Sequence, residues 1–290
     1  MNNTALYILT VLIWGSTWLA IEYQLGVVEP EVSIVYRYVA ASVVLYIYCK
    51  IRGLSLSFKA KHHFVFLGLG LLLFCLNYIF AYRAQEHITS AMAAIAFSTM
   101  LWINIILARI VFGIRATPRV LVGAALGIVG IIVLFAPLIE VASLSDGVFY
   151  GSLLALCGAF SASCGNMVSQ AAQKRALPVV EANTWGMFYG AVLTAIVAIA
   201  SGHEFTFDAT FTYISSLAYL ALFGSVIAFG AYLTLLGRIG AHKAGYATVM
   251  FPVVALALST AFEGLELDVT IVTGTSLVLL GNLLVLKKGA

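Results

Sequence analysis

Charge is what this chain has least of. Only 9% of its 290 residues are Asp, Glu, Lys or Arg, whereas a soluble domain carries about 25%, so a water-soluble fold would have almost nothing with which to cover its surface. Catalytic patterns are missing as well. There is no His-Glu-x-x-His run, no pair of aspartates inside an apolar block, and no serine with a histidine partner on a neighbouring block, which argues against an intramembrane enzyme. No glycine-rich phosphate loop occurs, and the connectors are too short to hold one, which disfavours an ATP-driven pump. Cys49, Cys75, Cys157 and Cys164 are the only cysteines. All lie inside apolar blocks without metal-ligand or disulfide spacing and read as free, buried thiols. Met1 to Thr4 offers neither a basic region nor a small-residue cleavage site, so the first apolar block reads as a retained span.

What the chain does have is apolar length. It is 62% hydrophobic with a mean hydropathy of +1.06. The apolar residues fall in blocks of about 20, the length a helix rising ~1.5 Å per residue needs to cross a ~30 Å hydrocarbon core. Ten candidate helices follow, within 5–23, 32–49, 64–82, 88–108, 119–137, 148–170, 182–201, 212–234, 244–262 and 270–286. The expected fold is an all-α polytopic membrane protein.

Assigning the connectors alternately to two sides segregates the charges. Side one, with the N-terminus, receives Lys50, Arg52, Lys59, Lys61, Arg109, Arg115, Arg119, Lys174, Arg175, Arg238, Lys243, Lys287 and Lys288, which is 13 of the 15 basic residues. Side two receives Arg83 alone, and Arg37 falls within the second span. Of the acids only Glu181 lies on side one. Retained Lys and Arg mark the cytoplasmic face, so both termini are expected there. Losing or adding a span would scramble this pattern.

A weak internal repeat appears at an offset of 151 residues: Gly113, Gly123 and Gly130 recur as Gly264, Gly274 and Gly281, and Ile88 and Ala93 as Ile239 and Ala244. Each copy holds five helices, and an odd number turns the second copy upside down in the bilayer. Arg115 accordingly corresponds to Glu266, the charge inversion that an inverted-topology repeat requires. The expected units are 1–139 and an inverted 148–290, joined by the polar stretch Glu140 to Gly147.

These residues resemble the drug/metabolite transporter superfamily, in particular its EamA-type members. The matches are Trp14-Gly15-Ser16 in the first span, Pro30 followed by Arg37 and Ala41 in the second, and Gly240-Ala241, Ala244-Gly245 and Phe251-Pro252-Val253 towards the ninth. The Gly264-Leu265-Glu266 turn, with Gly274 and Gly281 after it, also fits. Two departures stand out: Leu101 occupies the position paired with Pro252, and Gly113-Ile114-Arg115 replaces a Gly-Glu turn, which weakens any inference of a hinge in the fourth helix. The resemblance implies a substrate cavity between the repeats, alternating access, and a bacterial inner-membrane location.

Transport needs polar groups near mid-membrane. Arg37 is the only cation well inside a span. It could grip a substrate carboxylate with both arms of its guanidinium, or snorkel outward, or pair with Glu22 and fix the packing of the first two helices, the packing role being preferred. Glu22 is the candidate for proton coupling, against the plainer reading of a solvated interfacial acid. Trp14 and Trp18 share a helix face near Ser16 and could stack on cargo or belong to an interfacial belt. Asn77, Tyr78, Tyr82, Ser98, Trp102 and Asn166 complete the expected substrate-binding set with Tyr246 and Met250; many such groups merely join helices. Tyr232 is a further, weaker candidate. Gly123, Gly127, Gly130, Gly274 and Gly281 are expected to brace the repeats or a second protomer, and Pro252 to kink the ninth helix.

The leading reading is a secondary transporter for a small amphipathic metabolite, an amino acid or related compound, moving outward. The alternatives are drug efflux of apolar or cationic compounds and, from another class, a membrane sensor or receptor. The expected partners are the small-molecule substrate and the lipid bilayer, with a homodimer possible. No nucleic acid, cofactor or metal is called for.

Overall fold

The computed structural model describes residues 1–141, 146–254, 257 and 269–286. Among them there is no strand. Helix α1 spans Asn3–Glu22, α2 Pro30–Ile51, α3 Ala60–Gln85, α4 Ser90–Ser98, α5 Met100–Phe112, α6 Pro118–Val141 and α7 Asp146–Lys174. Then follow α8 Val179–Ala200, α9 Phe211–Ile239, α10 Ala241–Ala244, α11 Tyr246–Val249, a helical turn over 251–254, and α12 Val269–Leu286. Among the described residues seven helical stretches are long and apolar enough to cross a membrane: α1, α2, α3, Met92–Phe112 in α4 and α5, Gly147–Lys174 in α7, α8 and α9. Pro118–Val133 and Val272–Val285 are shorter apolar helices. The chain is therefore an all-helical, multi-pass membrane protein. The Gly264-Leu265-Glu266 turn, the last part of the expected ninth span and Lys287 and Lys288 lie outside the described residues.

Local chemistry marks the helix ends. Asn2, Thr89 and Thr210 each cap a helix start by accepting the N–H three residues on, at 2.8, 3.3 and 3.3 Å, and Pro30 opens α2, where its missing N–H costs nothing. Gly113 closes α5 with φ 67°, a left-handed conformation that a Cβ would strain. The cysteines are free; Cys49 and Cys75 are buried, while Cys157 and Cys164 are only partly so.

The interruptions correct the expectation of uninterrupted spans. Both α3 and α9 contain a widened, π-helical turn, at Gly70–Leu76 and Leu220–Ile227. The fourth span breaks at Thr99 without any proline, because the Thr99 N–H and hydroxyl both turn back to the Ala96 carbonyl, at 3.2 and 2.6 Å. The ninth helix is interrupted at Gly245 and again at Met250, ahead of Pro252 rather than at it. These irregularities share the 151-residue offset: Thr99 maps onto Met250, and the first π-helical turn maps inside the second.

Helices α6 and α12 lie against one another along their glycine faces. A Cβ on Gly130 would stand 2.7 Å from the Gly274 carbonyl, and one on Gly281 would stand 2.6 Å from that of Gly123. Small residues let the backbones touch, and dispersion over that contact replaces the hydrophobic drive that lipid removes. The expected bracing is thus made within the chain.

At one end of the bundle Arg238 donates to the Met1 carbonyl at 2.9 Å, and Lys174 lies 4.1 Å from the Phe112 ring centre. At the other end Arg83 meets Glu29, Glu31 and Glu86 at 3.0, 2.6 and 3.1 Å. Three carboxylates around it account for the lone cation on the acidic side. His203, following α8, approaches Glu31 at 3.3 Å.

Replacing Gly130 with Leu is expected to separate α6 from α12 and to lower the melting temperature in detergent, at a cost of about 1–3 kcal/mol for overpacking. Gly230→Ala, where an added Cβ meets nothing within 4 Å, is expected to leave it unchanged. The comparison is a thermal-unfolding measurement on the two purified variants.

Candidate functional site

The irregular turns sit around a cavity. Its walls come from α1 (Trp14, Thr17, Trp18, Ile21), α3 (Leu73, Asn77, Tyr78, Ala81), the broken α4 and α5 (Phe97, Met100), α7 (Ala162, Asn166) and α9 (Phe229, Tyr232), with Phe251 closing it. The enclosed volume is about 60 Å³, room for a handful of waters at ~10–15 Å³ each. That is far below the ~300–1,000 Å³ of a site that engulfs a small molecule, so the cavity described is closed down.

Aromatic rings make most of the wall. The Trp14 ring centre lies 4.8 Å from that of Phe229, 4.9 Å from Tyr232 and 5.9 Å from Phe251, and Trp18 packs edge-on against Phe97 at 4.9 Å. The π-helical turn fixes Trp14. There the Ala228 N–H bonds to the Phe223 and Ser225 carbonyls and passes over that of Gly224, and the Trp14 indole N–H donates to the Gly224 carbonyl at 3.0 Å. Polar atoms enter from opposite sides. Asn166 donates to the Tyr232 hydroxyl at 3.0 Å and to Asn104 at 3.4 Å, and Asn77 donates to the Leu73 carbonyl at 3.2 Å. The side-chain carbonyl oxygens of Asn77 and Asn166 are buried with no hydrogen-bond partner among the described residues. An unsatisfied buried acceptor costs about 1–3 kcal/mol, so both wall residues retain hydrogen-bonding capacity that the described chain does not use.

Arg37 lies behind this wall. It is fully buried, so it does not snorkel, and it does not pair with Glu22. Its Nε donates to the Ser225 hydroxyl at 2.9 Å, and its terminal nitrogens make long bonds to the Tyr78 and Tyr82 hydroxyls, at 3.3 and 3.5 Å. The guanidinium carbon stands 4.4 Å from the Tyr78 ring centre and 5.4 Å from that of Tyr38. Among the described residues no carboxylate forms an ion pair with it. Tyr78, which accepts from Arg37, is also a wall residue of the cavity, so the charge lies directly behind the wall.

The structure therefore gathers Trp14, Trp18, Asn77, Tyr78 and Asn166 of the expected set into one wall. The others do different work. Ser16 shares a hydrogen bond with the Tyr219 hydroxyl at 2.7 Å. Tyr82, besides meeting Arg37, donates to Gln24 at 2.8 Å. Ser98 donates to the Thr248 carbonyl at 3.3 Å, the carbonyl that Pro252 leaves without an N–H. Tyr246 is buried and donates to the Val120 carbonyl, joining helices rather than facing the cavity. Trp102 and Met250 pack half-buried against the core. Glu22 is exposed at the end of α1 and accepts from Gln85 at 3.4 Å, away from the cavity. Phe97, Met100 and Phe229 are wall residues that the sequence did not single out, and Phe251 was named only as part of a motif; apolar side chains inside apolar blocks carry no mark of which helix face turns inward. Glu29, Glu31 and His203 each offer a ligand atom within 4.8 Å of the others, but Arg83 already bonds to both carboxylates.

Comparison with known proteins supplies the lineage. The sequence profile of the EamA-like transporter family matches residues 4–136 and 149–287. The chain is 30% identical over 262 residues to the uncharacterized inner membrane transporter YedA of Escherichia coli (strain K12), covering 90% of this chain and 81% of that one. It is 25% identical to a probable amino-acid metabolite efflux pump of the same strain, over 88% and 85% of the two chains. A crystal structure with 18% identity superposes with a TM-score of 0.77, over 98% of this chain and 96% of the other, which establishes the fold. With a family profile spanning nearly its whole length and a relative at that identity and coverage, the chain belongs to the EamA-like transporter family.

Proposed function

We propose that this membrane transporter is a secondary carrier that moves a small amphipathic metabolite, an amino acid or a related compound, outward across the inner membrane. The observation that carries the reading is the cavity itself. It combines rings for an apolar side chain with two amide oxygens and a buried cation that have no partner and no counter-ion among the described residues, the cation being hydrogen-bonded to the wall residue Tyr78. A zwitterion with an apolar side chain complements all three. Two relatives named for inner-membrane transport and amino-acid metabolite efflux agree with it.

Alternating access belongs to the same proposal. The frame is ten spans in two inverted five-helix repeats, 1–139 and 148–290, with both termini cytoplasmic. Support comes from the family profile matching twice and from the π-helical turns and helix breaks recurring at one offset. The wall is drawn from α1, α3, α4 and α5 of one half and from α7 and α9 of the other, so a relative tilt of the halves would widen it and turn it to either side. Trp14, Trp18, Asn77, Tyr78 and Asn166 then contact substrate directly. Arg37 receives its carboxylate once Tyr78 swings aside. The aromatic lining favours a second reading, efflux of apolar or cationic compounds; the uncompensated charge of Arg37 weighs against cations.

Three outcomes follow from this reading. Arg37→Met removes a costly buried charge and leaves a side chain of similar length, so folded yield and melting temperature should hold or rise while amino-acid transport in proteoliposomes is lost; collapse of the fold instead would assign Arg37 to packing. Asn166→Leu should cut transport about tenfold, the effect of one lost buried hydrogen bond, with the protein still eluting as a monodisperse peak. For the orientation, a membrane-impermeant thiol reagent applied to whole cells should label Glu204→Cys and spare Lys59→Cys and Lys174→Cys. Labelling at either lysine position would overturn the cytoplasmic placement of that face.

A further inference from the structure

Two grooves flank α8 near its start, of about 310 and 260 Å³. One runs between Ala60, His63, Phe64 and Leu67 of α3 and Tyr189 of α8. The other runs between Tyr46 of α2, Leu56 of the following connector, and Trp185 and Phe188 of α8. Their floors are apolar, as a membrane-facing surface must be, but their mouths are unusual. Lys59 and Lys61 flank Ala60 at the first groove, and Lys50, with its ammonium 5.5 Å from the Tyr46 ring centre, stands at the second beside Arg52. All four cations are exposed, and none forms an ion pair among the described residues. The chain holds no acid between Glu31 and Glu86. The acid of the α8 start, Glu181, is buried.

The rim is also built rather than loose. Trp185 donates its indole N–H to the Leu56 carbonyl at 3.1 Å, which pins the α2–α3 connector onto α8. His63 and the Tyr189 hydroxyl are 2.9 Å apart, and Trp185 stacks on Tyr189 with ring centres 5.9 Å apart. Charges that serve only to orient a span need no groove beneath them. Here exposed cations adjoin, along the chain, residues that line apolar, aromatic-walled slots, a pairing of charge and apolar surface that suits an anionic headgroup above an acyl chain.

We propose that an anionic glycerophospholipid binds in these grooves, its phosphate held by Lys59 and Lys61 at the first and by Lys50 and Arg52 at the second, its chains lying against Tyr189 and Trp185. Each groove has one wall from α2 or α3 and the other from α8. A bound lipid therefore ties α8 to the helices before it. The test uses purified protein in an uncharged detergent, so it is indifferent to orientation in the cell and to the identity of the transported substrate. Phosphatidylglycerol should raise the melting temperature in a saturable way, since a ligand that binds only the folded state stabilises it by mass action. Phosphatidylcholine and inorganic phosphate should not. Lys59→Gln with Lys61→Gln should weaken phosphatidylglycerol binding at the first groove roughly thirtyfold, the loss of two basic groups facing an anionic headgroup, so that only the stabilisation from the second groove remains. Arg115→Gln with Arg119→Gln, the same charge removed elsewhere on that face, should leave the whole effect intact. Equal stabilisation by phosphatidylcholine or by phosphate alone, or equal loss in the Arg115 and Arg119 pair, would overturn the proposal.

Discussion

Inside a bilayer no water is at hand to satisfy a backbone carbonyl, and each interruption of a helix must be answered by a side chain. That constraint organises the middle of this protein. The π-helical turn of α9 passes over the Gly224 carbonyl, and Trp14 takes it. Pro252 has no N–H for Thr248, and Ser98 supplies a hydroxyl. In the π-helical turn of α3 the Leu72 carbonyl accepts from Ser161 at 2.8 Å, and that of Leu73 accepts from Asn77. Each answer except the last crosses between the two halves of the chain. The irregular turns are thus points at which the halves are joined, in addition to the glycine faces of α6 and α12.

The cavity is a consequence of those joins. Because Trp14 is held by its indole N–H, its ring stays wedged among Phe229, Tyr232 and Phe251. Because the fourth span breaks at Thr99, Phe97 and Met100 on either side of the break reach the same space. Arg37 depends on the same architecture: Ser225, which accepts its shortest hydrogen bond, lies within the π-helical turn of α9 and itself donates to the Leu220 carbonyl at 2.9 Å. A cation so placed has tyrosine hydroxyls and rings, and among the described residues no carboxylate, to offset the cost of its burial.

The two halves answer each other in size as well as in hydrogen bonding. Trp14 lies against Gly224. At the positions 151 residues away, Gly165 lies against Leu73, where an added Cβ would stand 2.5 Å from the leucine side chain. Large meets small at both places with the roles exchanged, as two copies of one packing solution would do after their side chains diverged.

Composition and apolar block length were enough to establish a multi-pass helical membrane protein, because the thickness of the hydrocarbon core imposes one length on every span. The glycine pairing of α6 with α12 was legible too, since Gly123, Gly130, Gly274 and Gly281 leave room for nothing but close backbone contact. The search for polar and aromatic groups inside the apolar spans led to Trp14, Trp18, Asn77, Tyr78 and Asn166. The helix breaks were not legible: Thr99 looks like any interior threonine, and a π-helical turn changes hydrogen-bond partners without requiring a particular residue. Nor could the sequence separate Phe97 and Phe229, which face the cavity, from Phe188 and Phe223, which are exposed, since every face of a span is apolar whether it meets lipid or protein. Which face turns inward is decided by how helices from opposite halves pack, a contact between residues some two hundred positions apart that only the folded chain creates.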